Sequence, residues 1–85
     1  GAGCIGLSLA WLLAEAGCPV TVFDRGAAGA GATWAAGGML AASVEVEPGE
    51  QTLLGLTRLS QQLWPAFARR LTALTGQDIG YRDDG

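Results

Sequence analysis

The sequence contains no histidine and no lysine, and its two cysteines, Cys4 and Cys18, do not form a Cys-x-x-Cys pair. Transition metals are held mainly by such side chains, so we expect no metal site. The charge balance is acidic, with a net charge of −3 and five arginines as the only cationic side chains. Because nucleic-acid binding depends on basic side chains that neutralise phosphates, this balance argues against a nucleic-acid partner.

The sequence also lacks a long hydrophobic run. Its most apolar stretch, residues 4–14, is interrupted by Gly6 and Ser8 and is shorter than the roughly 20 residues that a membrane-spanning helix needs. No secretory signal is visible, and a cytoplasmic location is the default expectation. With 49% hydrophobic and 15% charged residues, the composition is typical of a globular domain rather than a disordered segment.

The chain opens on Gly1-Ala2-Gly3-Cys4-Ile5-Gly6, a complete G-x-G-x-x-G motif. In such a turn the glycines allow a tight bend, close approach of the backbone to a pyrophosphate, and close packing of the helix that follows. Apolar residues at helical spacing predict a helix over residues 4–16, which Gly17 and Pro19 should end. The β-branched residues 20–23 predict a buried parallel strand.

This order of elements predicts an α/β fold, namely a Rossmann-like FAD/NAD(P)-binding domain. A buried strand should precede the first glycine of the motif. We therefore expect residues 1–85 to be the N-terminal part of an FAD-binding domain that lacks its first strand, with the substrate-binding domain outside this chain. Cys4 lies in the glycine-rich turn where the predicted helix begins and Cys18 lies just beyond its end, about 20 Å away at about 1.5 Å per residue, which is too far for a disulfide.

An acidic residue, Asp24, follows the predicted strand eighteen residues after Gly6. At this position a carboxylate can accept hydrogen bonds from the hydroxyls of an adenosine ribose, and it would repel the 2′-phosphate of NADP. The neighbouring Arg25 leaves NADP open. The alternative interpretation is that Asp24 is only a turn residue at the end of a strand.

Residues 26–42 consist almost entirely of glycine and alanine and show no helix pattern. This composition predicts a loop whose backbone approaches a ligand, although a flexible linker is the alternative. The loop also contains Thr33, Trp34 and Met39, which are unusual in a linker.

The second half of the chain predicts a long helix followed by a short strand. Glu47 and Pro48 indicate the start of the helix, Gly76 its end, and Pro65 a kink or a break near Leu63. Residues 78–82 predict the strand. One apolar stripe should run along the helix, formed by Leu53, Leu56, Leu59, Leu63, Phe67, Leu71 and Leu74.

Three segments, residues 1–8 (GAGCIGLS), 23–26 (FDRG) and 29–40 (GAGATWAAGGML), together resemble the N-terminal part of the D-amino-acid oxidase family of FAD-dependent oxidoreductases. Within it, the ending AAGGML looks most like the glycine-oxidase branch of thiamine biosynthesis. Two positions depart from the commoner pattern of the family. Asp24 occupies a position where glutamate is more usual, and Trp34 occupies one where serine or another residue is often found.

The resemblance implies that FAD is the cofactor and assigns a role to each matching position. It implies that the pyrophosphate binds the backbone of Cys4 and Ile5, in the turn formed by Gly1, Gly3 and Gly6, with Ala32 and Thr33 on the same side. It implies that the adenosine ribose binds Asp24 and that Arg25 lies beside the adenine. The isoalloxazine ring would be lined by Gly37, Gly38 and Met39.

By the same resemblance, the parent protein would oxidise glycine, small D-amino acids or secondary amines to an imino acid and produce hydrogen peroxide, with the flavin supplying the difficult step. A D-amino-acid dehydrogenase, a sarcosine-type oxidase and a non-catalytic dinucleotide-binding fragment remain open. An NAD-dependent dehydrogenase would show a further helix and strand after Asp24, which residues 26–42 do not predict. We nominate no catalytic residue, expect a small-molecule substrate as the partner, and leave a homo-oligomeric parent open.

Overall fold

A computed structural model of the chain describes residues 1–41 and 47–83. Within them the elements are α1 (Cys4–Glu15), α2 (Ala32–Ala35) and α3 (Gln51–Thr75). The chain divides into two compact units, Gly1–Met39 and Leu40–Gly85. None of the helices in the described part combines the length and the apolar character that crossing a membrane requires.

Helix α1 begins directly after Gly3, as the motif predicts, and ends one residue earlier than residue 16. At its end the amide of Gly17 donates to the carbonyl of Ala14 and that of Cys18 to Leu13, each at 3.0 Å. Gly17 has φ +85°, the left-handed conformation that this pair of bonds requires and that glycine adopts at least cost. The predicted glycine stop is therefore confirmed. Both cysteines, Cys4 at the start of α1 and Cys18 after its end, are free thiols.

The two predicted strands do not form. Residues 20–23 and 78–82 contain no strand, and the described ranges as a whole are helical or irregular. A strand exists only through hydrogen bonds to a neighbouring strand, and no such neighbour lies within residues 1–41 and 47–83. Consequently Phe23, expected in a buried strand, is 79% exposed. The α/β architecture expected from the sequence is not visible in the part of the chain that the structure describes.

The glycine- and alanine-rich segment was expected to contain no helix, and this expectation is wrong for its centre. Ala32–Ala35 form the short helix α2, in which the amide of Trp34 donates to the carbonyl of Gly31 at 3.0 Å. One helical turn is too short to produce the apolar periodicity by which helices are predicted. The predicted end of this segment, Ala42, lies outside the described residues.

Helix α3 starts later than predicted and continues through its proline. Pro48 and Gly49 form a turn, and Gly49 has φ +97°, which a right-handed helix does not accept, so the helix starts at Gln51. Pro65 lies inside the helix without splitting it. Gly76 ends the helix as predicted, with φ +69° and its amide bonded to the carbonyl of Thr72 at 2.9 Å.

Few side chains are buried. Only Ala2 and Ala68 are buried among the described residues. Much of the predicted apolar stripe is exposed, namely Leu53, Leu56, Leu59, Leu63 and Leu74. Trp64 of α3 packs against two aromatic rings, with its ring 5.2 Å from that of Phe67 in a T-shaped pair and 6.4 Å from that of Tyr81 in a stacked pair.

Candidate cofactor-binding site

The side chain of Asp24 joins the glycine-rich turn. Its Oδ2 accepts a hydrogen bond from the amide of Ala2 at 2.8 Å, and its Oδ1 accepts one from the amide of Gly26, also at 2.8 Å. The second bond is a local turn of the kind that aspartate commonly forms with the amide two residues further on. The first bond is long-range and holds the carboxylate beside the start of the G-x-G-x-x-G motif.

Both bonds stabilise the ionised form of the carboxylate. The amide of Ala2 has the largest effect and that of Gly26 the next largest, and together they lower the pKa of Asp24 below its ordinary value, while desolvation opposes them weakly. Asp24 is exposed and negatively charged at neutral pH. An ionised carboxylate has about four acceptor positions, so acceptor capacity remains after these two bonds.

Two further hydrogen bonds connect the turn to the glycine- and alanine-rich segment. The carbonyl of Ala2 accepts from the amide of Gly29 at 2.8 Å, so both backbone polar groups of this buried residue are paired. The amide of Cys4 donates to Oγ1 of Thr33 at 2.9 Å. Part of this segment, at Gly29 and Thr33, therefore lies against the turn, whereas its predicted approach to a ligand stays a prediction.

Two glycines of the motif are required by these close contacts. A Cβ on Gly6 would overlap the carbonyl oxygen of Gly1, which is a backbone atom that cannot move away easily. A Cβ on Gly3 would lie 2.9 Å from Oγ1 of Thr33. Gly6 thus allows the first turn of α1 to pack against the start of the chain, and Gly3 leaves room for the threonine hydroxyl.

The N-terminus of α1 offers backbone donors. The first internal bond of the helix runs from the amide of Leu7 to the carbonyl of Gly3 at 2.9 Å, so the preceding amides have no acceptor within the helix. Thr33 accepts from Cys4, whereas Ile5 and Gly6 follow in the same first turn. This turn has no acidic residue and no side-chain cap, and the positive end of the helix dipole favours an anion there.

These features fit the ADP portion of FAD. A pyrophosphate would find the helix N-terminus and the hydroxyl of Thr33 together, and the remaining acceptor positions of Asp24 would face ribose hydroxyls. The described part of the chain contains no cluster of three or more histidine, cysteine or acidic side chains that could hold a metal ion.

The structure brings together part of the predicted site. Gly1, Gly3, Cys4, Gly6, Asp24 and Thr33 meet at the turn through the contacts above, with Ile5 and Ala32 beside them in the chain. Arg25 is exposed next to Asp24. No hydrogen bond within the described ranges joins Gly37, Gly38 or Met39 to the turn, and Met39 is 76% exposed. The flavin-lining role of these three residues stays a prediction.

Sequence reasoning did not identify Gly26 and Gly29, whose amides bind Asp24 and the carbonyl of Ala2. Gly29 has φ +72°, a conformation that glycine favours. The signal that could have identified these two positions is the glycine itself, because a glycine often marks a place where the backbone turns sharply or approaches another part of the chain.

The site defines a class of protein, because a glycine-rich turn at a helix N-terminus beside a carboxylate is the arrangement by which dinucleotide-binding proteins hold a pyrophosphate and a ribose. All of residues 1–85 match the family named DAO, described as FAD dependent oxidoreductase. The chain therefore belongs to this family of FAD-dependent oxidoreductases.

Bacterial relatives agree with this assignment. A Rhizobium etli protein, provisionally named thiamine biosynthesis oxidoreductase ThiO, is 48% identical over 98% of this chain and 28% of its own length. Glycine oxidases of Bacillus licheniformis and Geobacillus kaustophilus are 41% and 39% identical over 100% of this chain, and 23% and 22% of their own lengths. The chain thus spans between 22% and 28% of these relatives. No solved structure matches it significantly.

Proposed function

We propose that the full-length protein containing this chain is an FAD-dependent oxidase of glycine or other small amino acids and secondary amines, and that this chain supplies part of its FAD-binding domain. The observation that carries the proposal is the 2.8 Å bond between Oδ2 of Asp24 and the amide of Ala2. It holds the residue suited to a ribose beside the turn suited to a pyrophosphate.

In this proposal the chain binds and orients the cofactor. Asp24, which is exposed and ionised, accepts hydrogen bonds from the ribose hydroxyls with the acceptor positions that Ala2 and Gly26 leave. The pyrophosphate lies at the N-terminus of α1, where the amides of Ile5 and Gly6 and the hydroxyl of Thr33 are the donors. Gly37, Gly38 and Met39 line the isoalloxazine ring, a role that follows from the family resemblance.

When bound, the flavin would accept a hydride from the α-carbon of the amine substrate and pass two electrons to oxygen, which gives an imino acid and hydrogen peroxide. We assign no catalytic residue of this chain to that step. We propose that residues of the full-length protein beyond this chain bind the substrate.

The names of the relatives support glycine as the first substrate to test. Two of the most similar relatives are named glycine oxidases, and a third has a name that refers to thiamine biosynthesis. A sarcosine-type oxidase and a D-amino-acid dehydrogenase differ from this proposal in the amine or in the electron acceptor, so one set of assays separates all three.

The test is to purify the full-length protein, record its visible spectrum, identify the released cofactor, and measure peroxide formed from glycine, sarcosine and D-alanine. We expect a flavin spectrum, FAD on release, and peroxide with glycine. Faster turnover of sarcosine than of glycine would favour the sarcosine-type oxidase. Turnover with an artificial electron acceptor but without peroxide would favour the D-amino-acid dehydrogenase. A colourless protein that binds NAD would contradict the proposal.

A further inference from the structure

After α2 the chain reaches Leu40, whose carbonyl group accepts a hydrogen bond from a side chain of α3. Nε2 of Gln61 donates a hydrogen bond to the carbonyl oxygen of Leu40 at 3.1 Å. Both residues belong to the unit Leu40–Gly85, and both are exposed. Since Leu40 directly follows Met39, this bond restrains the chain one residue beyond the segment Gly37–Met39.

The segment Gly37–Met39 has little else to define its conformation. It contains no helix or strand, and no hydrogen bond of its own backbone is found within the described ranges. Apart from the glycine itself and its two chain neighbours, no atom of the described residues lies within 4 Å of where a Cβ on Gly37 or Gly38 would be, and Gly38 has φ +77°. Two adjacent glycines leave the backbone unusually free, and the hydrogen bond from Gln61 holds the chain at Leu40, two residues after Gly38.

We propose that Gln61 is a positioning residue for the segment Gly37–Met39, and that it acts by holding the carbonyl of Leu40. The inference rests on the proposed function, because it supposes that this segment lines the flavin. Gln61 then limits the conformations of the segment before FAD binds. The conformational entropy that the segment loses on FAD binding is therefore smaller.

Three substitutions test the hydrogen bond with little change in helix propensity, since glutamine, glutamate and lysine are similar helix formers. Gln61→Glu keeps the size of the side chain but removes the donor and places a negative charge near the Leu40 carbonyl. Gln61→Lys keeps a donor. Gln62→Glu introduces the same charge at the exposed neighbouring position and is the matched control.

The first measurement needs no flavin. In full-length protein stripped of FAD, chymotryptic cleavage after Leu40 is followed by mass spectrometry, because its carbonyl is the group that Gln61 holds. We expect Gln61→Glu to be cleaved about two- to tenfold faster, the range that corresponds to the loss of one neutral hydrogen bond. Gln61→Lys and Gln62→Glu should be cleaved at the wild-type rate. Equal rates for Gln61→Glu and wild type would overturn the inference.

The second measurement concerns the flavin. We expect Gln61→Glu to weaken FAD binding by about two- to tenfold and to shift the visible absorption band of the bound flavin. Gln61→Lys should keep the wild-type FAD affinity and the wild-type band position. Faster cleavage with an unchanged band and an unchanged dissociation constant would overturn the positioning role. A colourless wild-type protein would instead overturn the proposed function, and this result is seen before any variant is compared.

Discussion

Oδ2 of Asp24 accepts a hydrogen bond from the amide of Ala2 at 2.8 Å, which joins residues 22 positions apart in the sequence. The other carboxylate oxygen is bonded to the amide of Gly26. Asp24 therefore organises the turn, in addition to the ribose-binding role that we propose for it. Its substitution should affect both the protein without cofactor and the affinity for FAD.

We expect Asp24→Ala in the full-length protein to weaken FAD binding by about tenfold or more, because charge-assisted hydrogen bonds to the ribose would be lost. The dissociation constant is measured by fluorescence titration. Asp78→Ala is the matched control, since Oδ1 of Asp78 also accepts from the amide two residues further on, that of Gly80, at 2.8 Å. A dissociation constant unchanged in Asp24→Ala would mean that Asp24 is only a turn residue.

The lowered pKa of Asp24 predicts a pH dependence of stability. Because the folded-state pKa lies below the unfolded value of about 3.9, the carboxylate contributes stability above that value and loses it as the pH falls through the folded-state pKa. The stability difference between wild type and Asp24→Asn, from urea unfolding, should be constant from pH 7 to 5 and shrink below pH 4. A difference that persists at the lowest pH would contradict the assigned cause.

Local signals in the sequence predicted the two longer helices, α1 and α3, but not the short helix α2. The G-x-G-x-x-G motif placed the start of α1 and the glycines Gly17 and Gly76 placed the ends of α1 and α3, because each acts through the conformation of one or two residues. The start of α3 was predicted too early, since Glu47 and Pro48 are typical of a first helical turn and the left-handed conformation of Gly49 could not be read from its identity.

The strands were predicted wrongly because a strand depends on partners distant in sequence. Residues 20–23 have the composition of a buried strand, yet composition does not supply the neighbouring strand that must accept and donate its hydrogen bonds. The candidate site was predictable in its residue types. Its contacts were not, because the bonds from Ala2 to Asp24 and from Cys4 to Thr33 depend on how the intervening chain folds.

The hydroxyl of Thr33 accepts from the amide of Cys4 and can donate its own proton to a phosphate. We therefore expect Thr33→Val, which keeps the shape but removes the hydroxyl, to weaken FAD binding by about threefold or more, while Thr33→Ser should retain most of the affinity. Equal affinities for the valine variant and wild type would show that the hydroxyl serves only the turn.

Gly6→Ala tests the packing of α1 against the start of the chain. The added methyl group would overlap the carbonyl oxygen of Gly1, so we expect a loss of about 1–3 kcal/mol in the free energy of unfolding. Gly55→Ala is the matched control, because it lies in α3 with no atom within 4 Å of its Cβ position. That variant should be neutral or more stable by up to about 1 kcal/mol. Equal stabilities for the two variants would contradict the close contact.

Alanine variants of Gly37 and Gly38 distinguish a clash with the cofactor from strain in the backbone. Beyond its chain neighbours, a Cβ on either residue would meet no atom of the described residues within 4 Å, but only Gly38 has a positive φ, +77°. Gly38→Ala should therefore cost about 1–2 kcal/mol of stability even without FAD, whereas Gly37→Ala should leave the flavin-free protein as stable as wild type.

If the backbone of Gly37 lies against the isoalloxazine ring, Gly37→Ala should lower the FAD bound per chain and weaken its affinity, because the methyl group would meet the flavin and nothing else. Thermal unfolding without FAD and flavin titration of the same samples give the two quantities, with Gly55→Ala as the control. A Gly37→Ala protein that binds FAD with wild-type affinity would place the flavin away from this segment. The positioning role of Gln61 would then lose its purpose, while FAD binding at Asp24 and the glycine-rich turn would stand.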